Sequence, residues 1–276
     1  MADLSIGIQR QYGGAAIVQR ILKAVTESGH DVGRLTAEML YPYDQLHGRG
    51  LAATKENAAK LNLNELTHVL DVGSGVGGPA RYMTRTFGCR VTGIDLTKEF
   101  VAAAKELTER CGLSDKVVFR QGDALAMPFG EASFDAACCL NVAMNIRDKA
   151  RLAREVCRVL KPHGRLVWTE TTQGPGGEPH YPLPWARNPD ISFLVSAAEL
   201  RRAIERAGLR IVEWIDETEA VRAGLLQGGR KSQQTAPSIV DNQVIMGDDF
   251  AERLNNARRN ELEQRIVLIF AVAERA

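Results

Sequence analysis

The stretch HVLDVGSGVGGP, residues 68–79, decides the fold. A short apolar run carries an acid, Asp71, near its end, and the chain then turns through Gly73, Gly75, Gly77 and Gly78 into an amphipathic segment. Glycines at such a turn accept positive φ and let a ligand approach bare backbone, while the following helix offers unpaired amide hydrogens at its start. About twenty residues on, a second run ends in Gly93-Ile94-Asp95, an acid placed to hold a ribose diol. A third ends in Gln121-Gly122-Asp123-Ala124. All three acids therefore fall at carboxyl ends of consecutive strands, where open α/β sheets bind ligands.

Outward from this segment, the apolar runs 68–72, 90–94, 117–120, 134–140, 165–169 and 209–215 read as strands. Between them, residues 79–87, 98–111, 149–160 and 197–207 carry apolar positions at helical spacing. Strands alternating with helices of that length predict right-handed crossovers and a parallel sheet covered on both faces. The front of the chain is helical. Residues 14–28 place Ile17, Ile21, Leu22 and Val25 on one face; a second helix spans 34–40 and stops at Pro42; a third runs over 51–61. Residues 173–189 are rich in Gly and Pro and too long for a simple connection, which marks a functional loop. The stretch 227–237 (QGGRKSQQTAP) reads as a flexible connection, 249–261 as a helix and 265–272 as a last strand.

Composition narrows the partners. Thirty-five Lys and Arg against 34 Asp and Glu leave a formal charge of +1, which gives no long-range pull toward nucleic acid or anionic lipid. The five cysteines show no ligand spacing and read as reduced thiols, so the expected location is cytoplasmic and no metal site is expected. The longest late apolar run, 266–273, is far short of the roughly 20 residues of a membrane span. A nicotinamide oxidoreductase is the competing reading of the glycine turn. Read from Gly73, however, the turn lacks the G-x-G-x-x-G register, and read from Gly75 it puts Ala80 where the last glycine belongs.

Taken together, Asp71-Val-Gly73-Ser-Gly75, Asp95, Gly122-Asp123-Ala124 and the Phe134-Asp135 strand start resemble a class I S-adenosylmethionine-dependent methyltransferase. Residues 158–165, RVLKPHGR, are similar to that family's RVLKPGG segment, with His163 in place of a glycine. The segments 44–47 (DQLH), 144–146, 182–186 and 192–196 further resemble a bacterial subgroup of sarcosine/dimethylglycine N-methyltransferase-like proteins. The resemblance implies a Rossmann-like α/β sandwich with strand order 3-2-1-4-5-7-6, seven mostly parallel strands and an antiparallel last one. It also implies a helical cap or lid over 1–62, a cofactor-binding domain over 63–276 and an active-site loop over 173–195.

Carried over by position, the resemblance assigns Gly73 and Gly75 to the amino-acid end of S-adenosylmethionine, Asp95 to its ribose, Leu96 to the flank of its adenine and Asp123 to the adenine amino group, with Asp71 and Ala124 also counted as cofactor-binding. Asn141 stands where relatives place a polar residue, commonly His, near the methionine part, and Tyr12 matches a residue of the cap that folds over the cofactor. The acceptor pocket is expected above strands four and five. Its candidate lining is Tyr41, Tyr43, His47, Met144, Asn145, Glu170, His180, Tyr181 and Trp185, with Glu170 and His47 as bases and Tyr43 and Asn145 as catalytic partners. A carboxylate at the end of strand five can take a proton or balance a cation. The acceptor is a small molecule, amine nitrogen leading, with carbon or oxygen of a secondary metabolite such as an isoprenoid as the alternative. Arg49 and Arg187 are candidates to meet a carboxylate or phosphate. A homo-oligomer is compatible with this reading.

Overall fold

The computed structural model describes residues 16–227 and 239–276. Tyr12 lies outside the described residues, as does nearly all of the 227–237 stretch. Strands β1 (His68–Val72), β2 (Arg90–Asp95), β3 (Val117–Gln121), β4 (Phe134–Leu140), β5 (Leu160–Gln173), β6 (Leu209–Asp216) and β7 (Ile266–Arg275) form one sheet. Its order is β3-β2-β1-β4-β5-β7-β6. The first five strands run parallel, and β7 runs antiparallel to both β5 and β6.

Helices close both faces because each has one apolar stripe. On one face α6 (Lys149–Val159) and α7 (Ala197–Arg206) bury Leu152, Val156, Leu200 and Ile204 against Leu70, Val72, Leu166 and Trp168. On the other, α4 (Gly78–Phe87) and α5 (Lys98–Arg110) bury Met83, Val101 and Ala104 against Val69, Val91 and Val167. Each fully buried Val, Leu, Ile or Met among them contributes about 1.5–3 kcal/mol through burial. Two strongly amphipathic helices also start with a side-chain cap: Asp148 accepts from the Arg151 amide, and Ser196 and Glu199 form a reciprocal capping box.

The N-terminal helices α1 (Ile17–Glu27), α2 (Ala37–Asp44) and α3 (Gly50–Ala59) are built into this structure. Ile21, Val25, Leu40 and Tyr43 share a core with Val76, Phe100 and Leu107, and Arg81 of α4 forms a fully buried ion pair with Asp44 at 3.0 Å. The expectation that Pro42 ends the second helix is corrected: α2 runs on to Asp44 with Pro42 inside it. Proline removes one amide donor and crowds the carbonyl four residues back, a cost of about 3 kcal/mol. Burial of Leu40, Tyr43 and Asp44 on the inward face opposes that cost.

The sheet also extends further than local pattern indicates. β5 runs to Gln173 because β7 pairs with every residue from Arg165 to Gln173. His163 has φ of +64°, the left-handed region that glycine favours, which explains why the resembled segment carries glycine there. Two helices went unread in the sequence, α8 (Thr218–Gln227) and α9 (Ile239–Met246). The 173–195 loop is strapped to α10 (Phe250–Leu262). Asn260 bonds both the amide and the carbonyl of His180, Asn256 donates to the Pro182 carbonyl, and Arg187 pairs with Asp249 at 2.9 Å. Among the described residues, no helix is long and apolar enough to cross a membrane.

Candidate active site

A cleft of about 1080 Å³ opens over the carboxyl ends of β1, β2, β3 and β4. Asp71, Gly73, Gly75, Asp95, Leu96, Asp123, Ala124, Asn141, Asn145 and His47 all line it. Residues far apart in sequence therefore meet because parallel strands deliver their ends to one edge.

The turn after β1 is shaped for close approach. Gly73 has φ of +68°, and a Cβ there would stand 2.4 Å from a methyl of Val142. At Gly78 a Cβ would meet the Asp44 carbonyl oxygen at 2.2 Å, so the helical cap rests directly on this turn. Asp95 is already organised: one carboxylate oxygen accepts from the Gly75 amide at 2.9 Å and the other from the Thr97 amide at 2.8 Å. Each oxygen keeps a lone pair for a hydroxyl. Asp123 accepts from the Leu125 amide at 2.8 Å, which fixes its direction across the third strand end.

Asp71 is different. It is 2% exposed; Oδ1 takes a weak bond from the Cys138 thiol at 3.4 Å, and Oδ2 is buried without a partner. Burial pushes its carboxyl up to about 7, opposed by the Cys138 bond, and the Asp95 carboxylate raises it further. The Ser74 hydroxyl beside it is likewise buried without a partner. Orphaned polar atoms of this kind are costly unless something completes them.

Not every expected side chain reaches the cleft. Tyr43 is buried in the cap, where its hydroxyl bonds Ser28 at 2.6 Å and the Ala24 carbonyl at 3.3 Å, so it is a packing residue and the catalytic assignment is corrected. Tyr41 sits edge-on to Tyr82, and burial raises its hydroxyl. Glu170 is 2% exposed and lies behind the cleft wall, so its placement in the pocket lining is also corrected. Its Oε1 accepts from the amides of Met144 and Thr171, Oε2 has no partner, and burial drives its carboxyl up to about 7 against the pull of Lys149. Neighbouring Thr169 takes the opposite side and bonds Asn141 at 3.3 Å, since successive strand residues face opposite ways.

Asn145 does line the cleft, with its amide nitrogen donating to the Trp185 and Ile191 carbonyls. Met144 and Trp185 pack with Leu183 and Ile191 behind it, Trp185 donates to Ser192, and His180 pairs with Glu263 on the surface. Tyr181 packs against the same cluster. Arg49 is spent on Glu56 and Glu217, whereas Arg187 pairs with Asp249 and still borders the cleft. Sequence reasoning missed Phe100, Arg147, Arg151 and Asp190 on the wall. The only local signal was their position just after strand ends or within the Pro-rich loop. Among the described residues no group of three or more His, Cys, Asp or Glu is arranged to hold a metal.

The chain is similar to known proteins in sequence and in fold. The model of a methyltransferase domain family matches residues 70–168. A glycine/sarcosine/dimethylglycine N-methyltransferase of Actinopolyspora halophila is 30% identical over 59% of the chain, which spans 29% of that protein's length. The O-methyltransferase cnsE of Penicillium expansum is 30% identical over 66% of the chain and 68% of its own length. In fold, a geranyl diphosphate C-methyltransferase of Streptomyces coelicolor A3(2) superposes with a TM-score of 0.70 over 99% of this chain and 98% of that one, at 19% identity. The chain belongs to the S-adenosylmethionine-dependent methyltransferases of the class I fold.

Proposed function

We propose that this chain transfers the methyl group of S-adenosylmethionine to the nitrogen of a small amine, an amino-acid derivative foremost. The observation that carries the donor half is the unpartnered, buried Asp71 Oδ2 beside a glycine turn with no room for a side chain. A cationic ammonium group suits that oxygen, and bare backbone at Gly73 and Gly75 suits a close-packed chain. Asp95, with a lone pair left on each oxygen, suits two vicinal hydroxyls, and Asp123 suits an exocyclic amine, flanked by Leu96 and Ala124. The residues present thus fit the donor. When bound, it supplies a methyl on sulfonium that is already electrophilic.

What the protein adds is alignment and exclusion of water, effects that together reach about 7–11 kcal/mol in favourable models. Asn141, Asn145 and His47 give the acceptor side hydrogen-bonding groups, and Leu140, Ile146 and Ile191 exclude solvent. Arg147 and Arg151 with Asp148 and Asp190 supply both signs of charge at one rim, which suits a zwitterion. The N-methyltransferase relative supports the same reading. The apolar wall favours a second one, methylation of oxygen or carbon on an isoprenoid-like metabolite. Glu170 does not serve either reading as a base in contact with substrate, because it faces away from the cleft. A cytoplasmic location belongs to this proposal, supported by five free cysteines.

The test is incubation with S-adenosylmethionine and separate panels of small amines, phenols and prenyl diphosphates, read by mass. Gain of one methyl by an amine is expected. Methylation confined to phenols or prenyl diphosphates would transfer the assignment to the second reading.

A further inference from the structure

A second concavity, of about 760 Å³, lies between α6 and α7, outside the cleft. Its floor is small and apolar: Ala150 of α6, Val195, and Ala203 and Ala207 one turn apart at the end of α7. Alanine on both helices leaves the space between them open. The walls carry four exposed arginines, Arg147 and Arg154 on the α6 side and Arg202 and Arg206 on the α7 side. Residues 202 and 206 are four apart and therefore share one helix face.

These four charges are not neutralised by the chain. Other arginines of the same helices find carboxylates: Arg158 pairs with Glu155 at 2.8 Å and Arg201 with Glu205 at 2.9 Å. Arg151 turns to the cleft rim and donates to the Leu125 carbonyl. Among the described residues, no carboxylate forms an ion pair with Arg147, Arg154, Arg202 or Arg206. Arg147 lies 4.5 Å over the Phe193 ring, which orients the guanidinium and leaves its charge unpaired. The two acids of the groove are engaged on backbone. Asp148 caps α6 through the Arg151 amide, and Glu199 Oε2 takes the Ser196 amide and hydroxyl, although its carboxyl also feels the Arg202 charge. Four like charges facing one space repel, and an anion placed between them removes that repulsion.

We propose that the groove between α6 and α7 is a second binding site, for a small organic polyanion with at least two phosphate or carboxylate groups. Arginine recognises either group with two parallel hydrogen bonds, and the alanine floor admits the ligand's carbon frame. Cations on both walls, repeated along α7 at a rise of about 6 Å, suit anionic groups set apart from one another. The volume is that of a small-molecule pocket, within the usual range of roughly 300–1,000 Å³. With Arg158 and Arg201 paired and Arg151 turned away, the unneutralised charge ends at the groove, too short a track for a nucleic-acid backbone. Arg147 and Asp148 border both cavities, which sets this site beside the acceptor side of the cleft. The site does not rest on the choice of methyl acceptor.

The test is calorimetric titration of the full chain at low ionic strength with pyrophosphate, citrate and inorganic phosphate in turn, S-adenosylhomocysteine being present to fill the cleft. Pyrophosphate or citrate should bind roughly tenfold tighter than phosphate and weaken as salt is added; whichever of the two binds tighter names the anionic group. Arg154→Gln, Arg202→Gln and Arg206→Gln should each weaken that binding several-fold, with melting temperatures like wild type because all three side chains are exposed. Arg151→Gln, which borders the cleft alone, should leave it unchanged. No heat from either polyanion, affinity no better than that of phosphate, binding that survives joint substitution of Arg202 and Arg206, or loss in Arg151→Gln would overturn the proposal. A hexaglutamate peptide and a short oligothymidylate complete the series. Tighter binding of either one, lost with Arg202 and Arg206, would overturn it in favour of a macromolecular partner.

Discussion

Two carboxylates at neighbouring strand ends do different work because their surroundings differ. Asp95 is satisfied by two amides, and its remaining lone pairs are offered to a ligand. Asp95→Ala removes those and frees the Gly75 amide, so affinity for S-adenosylmethionine should fall roughly 10–100-fold, the equivalent of about 1.5–3 kcal/mol for a hydrogen bond to a charged group. Unchanged affinity by calorimetry would remove Asp95 from the donor site. Asp71 has its folded value raised to about 7. Such a group contributes stability below its unfolded value and loses it as pH rises through 7. The ligand-free protein should accordingly melt at lower temperature at pH 8 than at pH 5.5. Asp71→Asn should flatten part of that slope, the remainder being shared by Glu170 and Glu261, also raised to about 7, and by Asp44 and Asp95, which burial raises as well. Donor affinity should move the other way and tighten from pH 6 to 8, because an ammonium prefers the ionised carboxylate. A pH-independent affinity would detach Asp71 from the donor's charge.

At the scale of elements, the wall beyond β4 is held by two buried side chains, Lys149 and Glu170, that each bond to backbone. Lys149, at the start of α6, donates to the carbonyls of Ala143, Ile146 and Phe193, while Glu170 of β5 accepts the Met144 amide. The 3-10 turn Ala143–Asn145 is thus gripped from both ends, and Asn145 rides on it into the cleft. Glu170→Gln should lower turnover while leaving donor affinity nearly intact, through displacement of this wall. Lys149→Met leaves three carbonyls without their donor, a loss of about 1–3 kcal/mol for each buried group left unpaired, so it should also lower the denaturant midpoint markedly. Wild-type turnover in Glu170→Gln would show that the turn holds without it. A second element-scale contact is α4 against the cap: Gly78→Ala should destabilise by about 1–3 kcal/mol, because its methyl would overlap the Asp44 carbonyl. A melting temperature equal to wild type would contradict that packing.

Across the molecule, the parts legible in the sequence were those encoded locally. The acids Asp71, Asp95 and Asp123 each close an apolar run, and a parallel sheet brings run ends together whatever the helices do. Side chains whose meaning depends on a distant neighbour were not legible. Glu170 and Thr169 differ by one position, and pairing in the sheet decides which of them reaches Asn141 of the cleft wall. Tyr43 turns inward because α1 covers it, and the Pro-rich loop is strapped rather than loose because α10 supplies Asn256 and Asn260. A donor site for S-adenosylmethionine at the first three strand ends is open to isothermal calorimetry. Micromolar binding of S-adenosylmethionine and S-adenosylhomocysteine, with no heat from NAD⁺, is the predicted result; binding of NAD⁺ alone, or of none of the three, would contradict it.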